Sequence, residues 1–256
     1  MKNFLGEVEG RVKSYKDEEE MRKAAADFML SSTKPKYCYN FSWQSRPIIQ
    51  YPQDMVAMQE IIWKVKPDLI IEMGIAHGGS LIYNASILAM LDMCEAIKEH
   101  RIIDPKISER KILGVDIDIR EHNKTEIEKH PMSSRIEMIE GSSISPEIIE
   151  KVRDYAKDYK CILVCLDSNH THEHVLAELE AYAPLTSVGS YCVVFDTIIE
   201  DLPKNAYPDR PWGPGDNPKT AVYDYLKNHP NFEIDKNIFE KLLISVCPDG
   251  FLKKLK

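Results

Sequence analysis

At 256 residues, with 43% hydrophobic and 29% charged residues, the chain has the composition of a folded globular protein rather than a disordered one. A net charge of −8 lacks the basic footprint that a nucleic-acid backbone demands, and no run reaches the roughly 18 to 20 uninterrupted apolar residues of a membrane span. With six cysteines but no Cys-x-x-Cys pair and no signal-peptide core, the expectation is a cytoplasmic α/β domain with reduced thiols.

In chain order, Lys16 to Ser31 reads as an amphipathic helix through Met21, Ala25, Phe28 and Met29, and a turn-rich aromatic segment runs from Lys34 to Pro52. These form an N-terminal extension, residues 1–52, ahead of a main domain at 53–256. Gln53 to Lys66 returns to helical spacing and stops at Pro67-Asp68. From there short apolar runs alternate with longer amphipathic ones, the signature of a parallel sheet covered by helices. The predicted strands are Leu69–Glu72, Lys111–Asp116, Arg135–Glu140, Cys161–Asp167 and Tyr191–Asp196. Helices are expected over Ser80–Ile97, Glu121–His130, Pro146–Lys157, His172–Tyr182 and Thr220–Asn228. Phe232–Ile234 and Leu242–Val246 are the expected closing strands.

The first of these strands runs into Glu72-Met73-Gly74-Ile75-Ala76-His77-Gly78-Gly79-Ser80 and then a helix. Small residues and free backbone N–H groups thus stand at the carboxyl end of a strand, where open α/β sheets bind ligands. The loop is neither Gly-x-Gly-x-x-Gly nor a Lys-bearing phosphate loop, which disfavours a nucleoside triphosphate. Asp116 ends the second strand, where a carboxylate accepts hydrogen bonds from the ribose of an adenosine-containing cofactor; a solvated strand-end acid is the alternative. Ser142 and Ser143, after the third strand, are candidates to border an adenine ring or to form a plain turn.

Asp167 and Asp196 end the next two strands and bring two carboxylates to one sheet edge, a donor set suited to a hard divalent cation such as Mg²⁺. His170, three residues beyond Asp167, is of the type that accepts a proton near neutral pH. Thr197, Glu200 and Asp201 are candidates for a third protein ligand. His172-Glu173-His174 does not fit His-Glu-x-x-His, so a zinc centre is disfavoured and those two histidines read as capping or packing groups.

Taken together, the 72–83 segment, Gly114-Val115-Asp116-Ile117-Asp118-Ile119-Arg120, Leu166-Asp167-Ser168-Asn169-His170-Thr171-His172 and Arg210-Pro211-Trp212-Gly213-Pro214-Gly215-Asp216-Asn217-Pro218 resemble the cephalosporin hydroxylase/rhamnosyl O-methyltransferase family. The resemblance implies a Rossmann-like class I methyltransferase fold: a mostly parallel seven-stranded sheet with helices on both faces and, here, an N-terminal helical extension. It also implies S-adenosylmethionine, Mg²⁺ and a hydroxyl acceptor on a sugar, polysaccharide or natural product. By position, Glu72, Gly74, Ala76, His77, Gly78, Gly79 and Ser80 look like the methionine-side motif, with Asp116 as the ribose acid and Ser142-Ser143 as the adenine-side turn. Asp167 and Asp196 match metal-binding acids, Asp167 also bordering the cofactor, and His170 falls where a general base stands. Where similar sugar methyltransferases carry an acidic pair, this chain has Phe195 before Asp196. No facial triad for a non-haem iron oxygenase is evident, so hydroxylation is not expected. Two other classes fit a Rossmann-like sheet: a nucleotide-sugar oxidoreductase and a catalytically silent cofactor-binding subunit. Trp43 and Trp212 offer apolar faces suited to a sugar, and the proline-rich loop over 209–218 is expected to act as an acceptor-side lid. A homo-oligomer is compatible with the sequence.

Overall fold

The computed structural model describes residues 2–256. Helices α1 (Lys2–Ser14) and α2 (Glu19–Thr33) precede a hairpin of β1 (Phe41–Trp43) and β2 (Arg46–Ile48). Helix and strand then alternate through α3 (Pro52–Val65), β3 (Leu69–Met73), α4 (Gly79–Glu99), β4 (Lys111–Asp116), α5 (Glu121–Glu128), β5 (Ile136–Glu140), α6 (Pro146–Ala156), β6 (Ile162–Leu166), α7 (His172–Tyr182) and β7 (Tyr191–Val194). The closing elements are α8 (Pro218–Asn228), β8 (Phe232–Ile234), α9 (Lys236–Leu242) and β9 (Phe251–Lys254).

Seven strands form one sheet in the order β5-β4-β3-β6-β7-β9-β8, the first five parallel and β9 antiparallel to both its neighbours. The strands read as unbroken apolar runs because both faces are covered. Along β3, Leu69, Ile71 and Met73 join the core made with α6, α7 and α8, while Ile70 joins the core made with α3 and α4. Glu72 therefore shares the α4 side with Ile70. Strand order reverses between β3 and β6, and that switch point opens the crevice in which the site lies. By length and composition α4 resembles a membrane span. Its Leu81, Ile82, Ala85, Leu88 and Leu91 nevertheless pack into the α3–α4 core, so its apolarity is that of an interior helix.

Two expectations change. The run Leu242–Val246 is not a strand: α9 ends at Leu242, Leu243 takes a left-handed φ of 59°, and the strand is Phe251–Lys254. A short apolar run cannot distinguish a strand from a buried turn by periodicity alone. This turn is held instead by Asp54 of α3, which accepts hydrogen bonds from Ser245 Oγ at 2.5 Å and the Val246 N–H at 3.0 Å. At the other end, the N-terminal segment holds two helices and a hairpin rather than one helix and a turn-rich stretch.

Burial, only partly offset by those two bonds, pushes the Asp54 carboxyl up to about 7. The folded state thus favours the neutral acid, so its stability is fullest below the unfolded value near 4 and declines as pH rises toward 7. In Asp54→Asn this decline, roughly 2 to 4 kcal/mol, is expected to vanish from urea unfolding curves recorded between pH 4 and 8. An unaltered pH profile would contradict the assignment.

Candidate active site

The loop after β3 is built by close backbone approach. An added Cβ on Gly79 would lie 2.1 Å from the Pro47 carbonyl oxygen of β2, so the hairpin packs directly on the start of α4. Arg46 donates to the His77 carbonyl and, through Nη2, to Asn123 Oδ1 at 3.1 Å, while Asn123 Nδ2 donates to the Ala76 carbonyl at 3.0 Å. Asp116 Oδ2 accepts from the Ile75 and Ala76 N–H groups at 2.7 and 3.2 Å, and Oδ1 accepts from the Asp118 N–H at 3.1 Å. The strand-end acid thus clamps the loop and retains lone-pair capacity on Oδ1. Glu72 is buried, accepts from the Ser80 hydroxyl and from Asn84 Nδ2 at 2.9 Å, and burial pushes its carboxyl up to about 7.

Across the switch point, β6 and β7 deliver Asp167 and Asp196, and the loop after β6 brings His170 between them. Donor atoms of these three side chains all lie within 4.8 Å of one another. His170 Nε2 is 3.3 Å from Asp196 Oδ2, and its ring meets Trp212 edge-on at 5.1 Å. Asp196 sits at a left-handed φ of 57°, a strained backbone of the kind that collects at functional sites. Withdrawal from bulk water, and then the like charge of Asp196, hold the Asp167 carboxyl well above its ordinary range. Two carboxylates and an imidazole converging without a Lys or Arg partner among the described residues fit a divalent cation, whose charge removes that penalty. The other acids have different work: Glu200 accepts from the Gly215 N–H at 2.7 Å and from Asn217, and Asp201 pairs with Lys219 at 2.7 Å. The Thr197 hydroxyl is buried and donates to the Val246 carbonyl at 3.4 Å.

A cavity of about 1010 Å³ joins the loop at Gly74–Ser80 to Asp167, His170 and Asp196 and continues to the end of α2 and the 205–212 segment. This lies at the top of the roughly 300–1,000 Å³ range for ligand pockets, enough for two reactants side by side. Tyr207, Arg210 and Trp212 line it, with Trp212 packed on Tyr207 at 4.8 Å and under the Arg210 guanidinium. Cys38, Gln50 and Tyr51 also line it and carry no sequence signature of their own. Asp116, Ser142 and Ser143 are not part of its wall. Ser143 Oγ donates to buried Glu178 at 2.5 Å and lies 3.0 Å from His174 Nε2. His172 instead faces Thr220 at 2.8 Å, so the two histidines enter separate networks and form no zinc pair. Trp43 is engaged elsewhere, donating to Ser86 Oγ at 2.9 Å and packing edge-on against Tyr83.

The family model for rhamnosyl O-methyltransferase/CmcI matches residues 35–255. The rhamnosyl O-methyltransferase of Mycobacterium tuberculosis (strain ATCC 25618 / H37Rv) is 30% identical over 227 residues, 86% of this chain and 78% of its own. Among solved structures, CmcI with Mg and SAM superposes with a TM-score of 0.56 at 15% identity, over 85% of this chain and 78% of its own. An O-methyltransferase from Bacillus cereus in complex with SAH gives 0.50 at 12% identity, over 82% and 81%. Both structural likenesses bear on the fold.

Proposed function

We propose what the residues do from one premise: the chain belongs to the rhamnosyl O-methyltransferase/CmcI family. The proposed reaction is transfer of a methyl group from S-adenosylmethionine to a hydroxyl of a sugar, polysaccharide or natural product, assisted by Mg²⁺. The observation that carries this reading is the single cavity shared by the glycine-bearing loop and the Asp167–His170–Asp196 cluster.

When bound, S-adenosylmethionine supplies the electrophilic sulfonium methyl, and Mg²⁺ supplies the Lewis acidity that lowers the acceptor hydroxyl's pKa. Asp167 and Asp196 would hold the cation. His170 takes the acceptor proton on its imidazole, whose Nε2 stands 3.3 Å from Asp196 Oδ2. Gly74 to Ser80 let the backbone approach the cofactor, and the N-terminal end of α4 favours its carboxylate. Tyr207 and Trp212 present apolar faces to the acceptor and shield the reacting atoms from water. The Asn217 capping box at α8 and the Glu200 contacts pin the far end of that lid.

Asp116 is assigned to the cofactor's ribose. Asp116→Ala is expected to weaken S-adenosylhomocysteine binding about tenfold in calorimetry, the loss of roughly 1.5 kcal/mol in charge-assisted hydrogen bonds. Unchanged affinity would withdraw the ribose assignment and leave Asp116 as a loop clamp.

A further inference from the structure

Outside the wall of the large cavity, one carboxyl oxygen of α7 gathers groups from two strand-end turns and from its own helix. Glu178 is fully buried, and its Oε1 accepts from Ser143 Oγ in the turn after β5 and from Ser168 Oγ in the loop after β6, each at 2.5 Å, with His174 Nε2 at 3.2 Å. Those two lengths are typical of hydroxyl-to-carboxylate bonds. In the sheet β4 and β3 stand between β5 and β6, so Glu178 ties together two turns that no strand pairing joins. Glu178 Oε2 has no partner, and His174 is the carboxyl's only ion-pair partner among the described residues. Such a group is costly to bury, and an apolar residue would pack as well where Val175, Leu179 and Tyr182 of the same helix already join the core. Its presence is explained by what Oε1 holds rather than by packing.

Ser168 directly follows Asp167. Gly74 packs against this peptide, an added Cβ there lying 2.1 Å from the Asp167 carbonyl oxygen and 3.1 Å from Ser168 Cα, and Glu178 grips the Ser168 hydroxyl. Four residues further on, the His172 N–H donates to Asp216 Oδ1 at 2.7 Å, so the stretch that carries His170 is pinned at both ends. Taking the proposed methyl transfer and its divalent cation as the basis, we propose that Glu178 is a positioning residue for the reacting cluster. Through Ser168 it fixes the peptide after Asp167, and with it the convergence of the Asp167 carboxylate and His170 on Asp196. Glu178 itself belongs neither to that cluster nor to the cavity wall. Removing a group that orients a metal's ligands typically weakens metal binding or activity by about 10- to 100-fold.

The test is Mn²⁺ binding to the cofactor-free protein, followed by electron paramagnetic resonance, with urea unfolding recorded in parallel. Ser168→Ala removes the gripped hydroxyl and is expected to weaken Mn²⁺ binding by about tenfold or more. Glu178→Ala is expected to weaken it at least as much, while Glu178→Gln, which keeps an accepting oxygen, is expected to stay within about threefold of the wild type. Tyr182→Phe is the control for stability alone, because the Tyr182 hydroxyl donates to the Ser143 carbonyl in the same network and makes no hydrogen bond to Ser168 among the described residues. That variant is expected to lose stability and to bind Mn²⁺ as the wild type does. A folded Ser168→Ala protein whose Mn²⁺ affinity stays within about twofold of the wild type overturns the assignment, whatever its stability. So does a Glu178→Gln protein as impaired as Glu178→Ala. A wild type that binds no Mn²⁺ removes the cation reading and the assignment with it, a failure distinct from the other two.

Discussion

Asp167→Asn is expected to lower methyl transfer by about a thousandfold, roughly 4 kcal/mol of transition-state stabilisation, while the protein remains as stable as the parent or becomes more so. Both halves follow from the same environment. Asp167 stands at the end of β6 with Asp196 and His170 converging on it, and no cationic side chain among the described residues offsets its charge. Removal from water and repulsion by Asp196 raise its pKa, so an ionised Asp167 is a burden on the unliganded fold at neutral pH. Asparagine keeps the shape and removes that burden. It also weakens the proposed cation site, because a neutral amide oxygen is a poorer ligand for a hard divalent ion. Melting curves of the unliganded proteins together with single-turnover transfer test both halves. Full activity contradicts the metal-binding role, and loss of activity accompanied by unfolding makes Asp167 a structural residue instead.

Gly74→Ala is expected to destabilise the protein by roughly 2 to 5 kcal/mol and to abolish cofactor binding in the fraction that folds. Gly74 has φ of +95°, and a Cβ there would lie 2.1 Å from the Asp167 carbonyl oxygen. The clash is with backbone, so a rotamer change cannot relieve it. Asp167 or the loop has to shift, and either movement separates the glycine-bearing loop from the Asp167–His170–Asp196 cluster. Gly189 is the control: its φ is +83°, but nothing lies within 4 Å of its added Cβ. Gly189→Ala is expected to cost only about 1 kcal/mol, from backbone strain alone. Equal losses in the two variants, read from urea unfolding, would show that close packing on Asp167 is not what requires glycine at position 74.

The parallel part of the sheet was legible because β3, β4, β6 and β7 are buried on both faces and stand out as apolar runs between amphipathic helices. Strand-end acids were legible for the same reason, since a charged residue closing such a run marks the sheet's carboxyl edge. The last strand was not: β9 ends in Lys253 and Lys254, whereas Leu242–Val246 carries more apolar character and forms a turn. The hairpin β1–β2 has three-residue strands and a Pro47, too short for any periodic signal. Its importance rests on the Gly79 and Arg46 contacts, which form between segments about 30 residues apart. Gln50, Tyr51 and Cys38 reach the cavity in the same way, through tertiary packing with no local motif. The third-ligand candidates Glu200 and Asp201 lie apart from the Asp167–His170–Asp196 cluster because they hold the 215–217 turn and Lys219 of α8, a division that composition cannot reveal.

The most direct measurement of the central claim is transfer of an isotopic methyl group from S-adenosylmethionine to a panel of rhamnosides and other hydroxylated glycosides, with Mg²⁺ present and with it chelated. Label is expected in an O-methyl ether on at least one acceptor, and chelation is expected to abolish it. Transfer that proceeds undiminished without a divalent cation would contradict the assignment of Asp167 and Asp196 as metal ligands. Binding of S-adenosylmethionine with no transfer to any acceptor would contradict the enzyme itself.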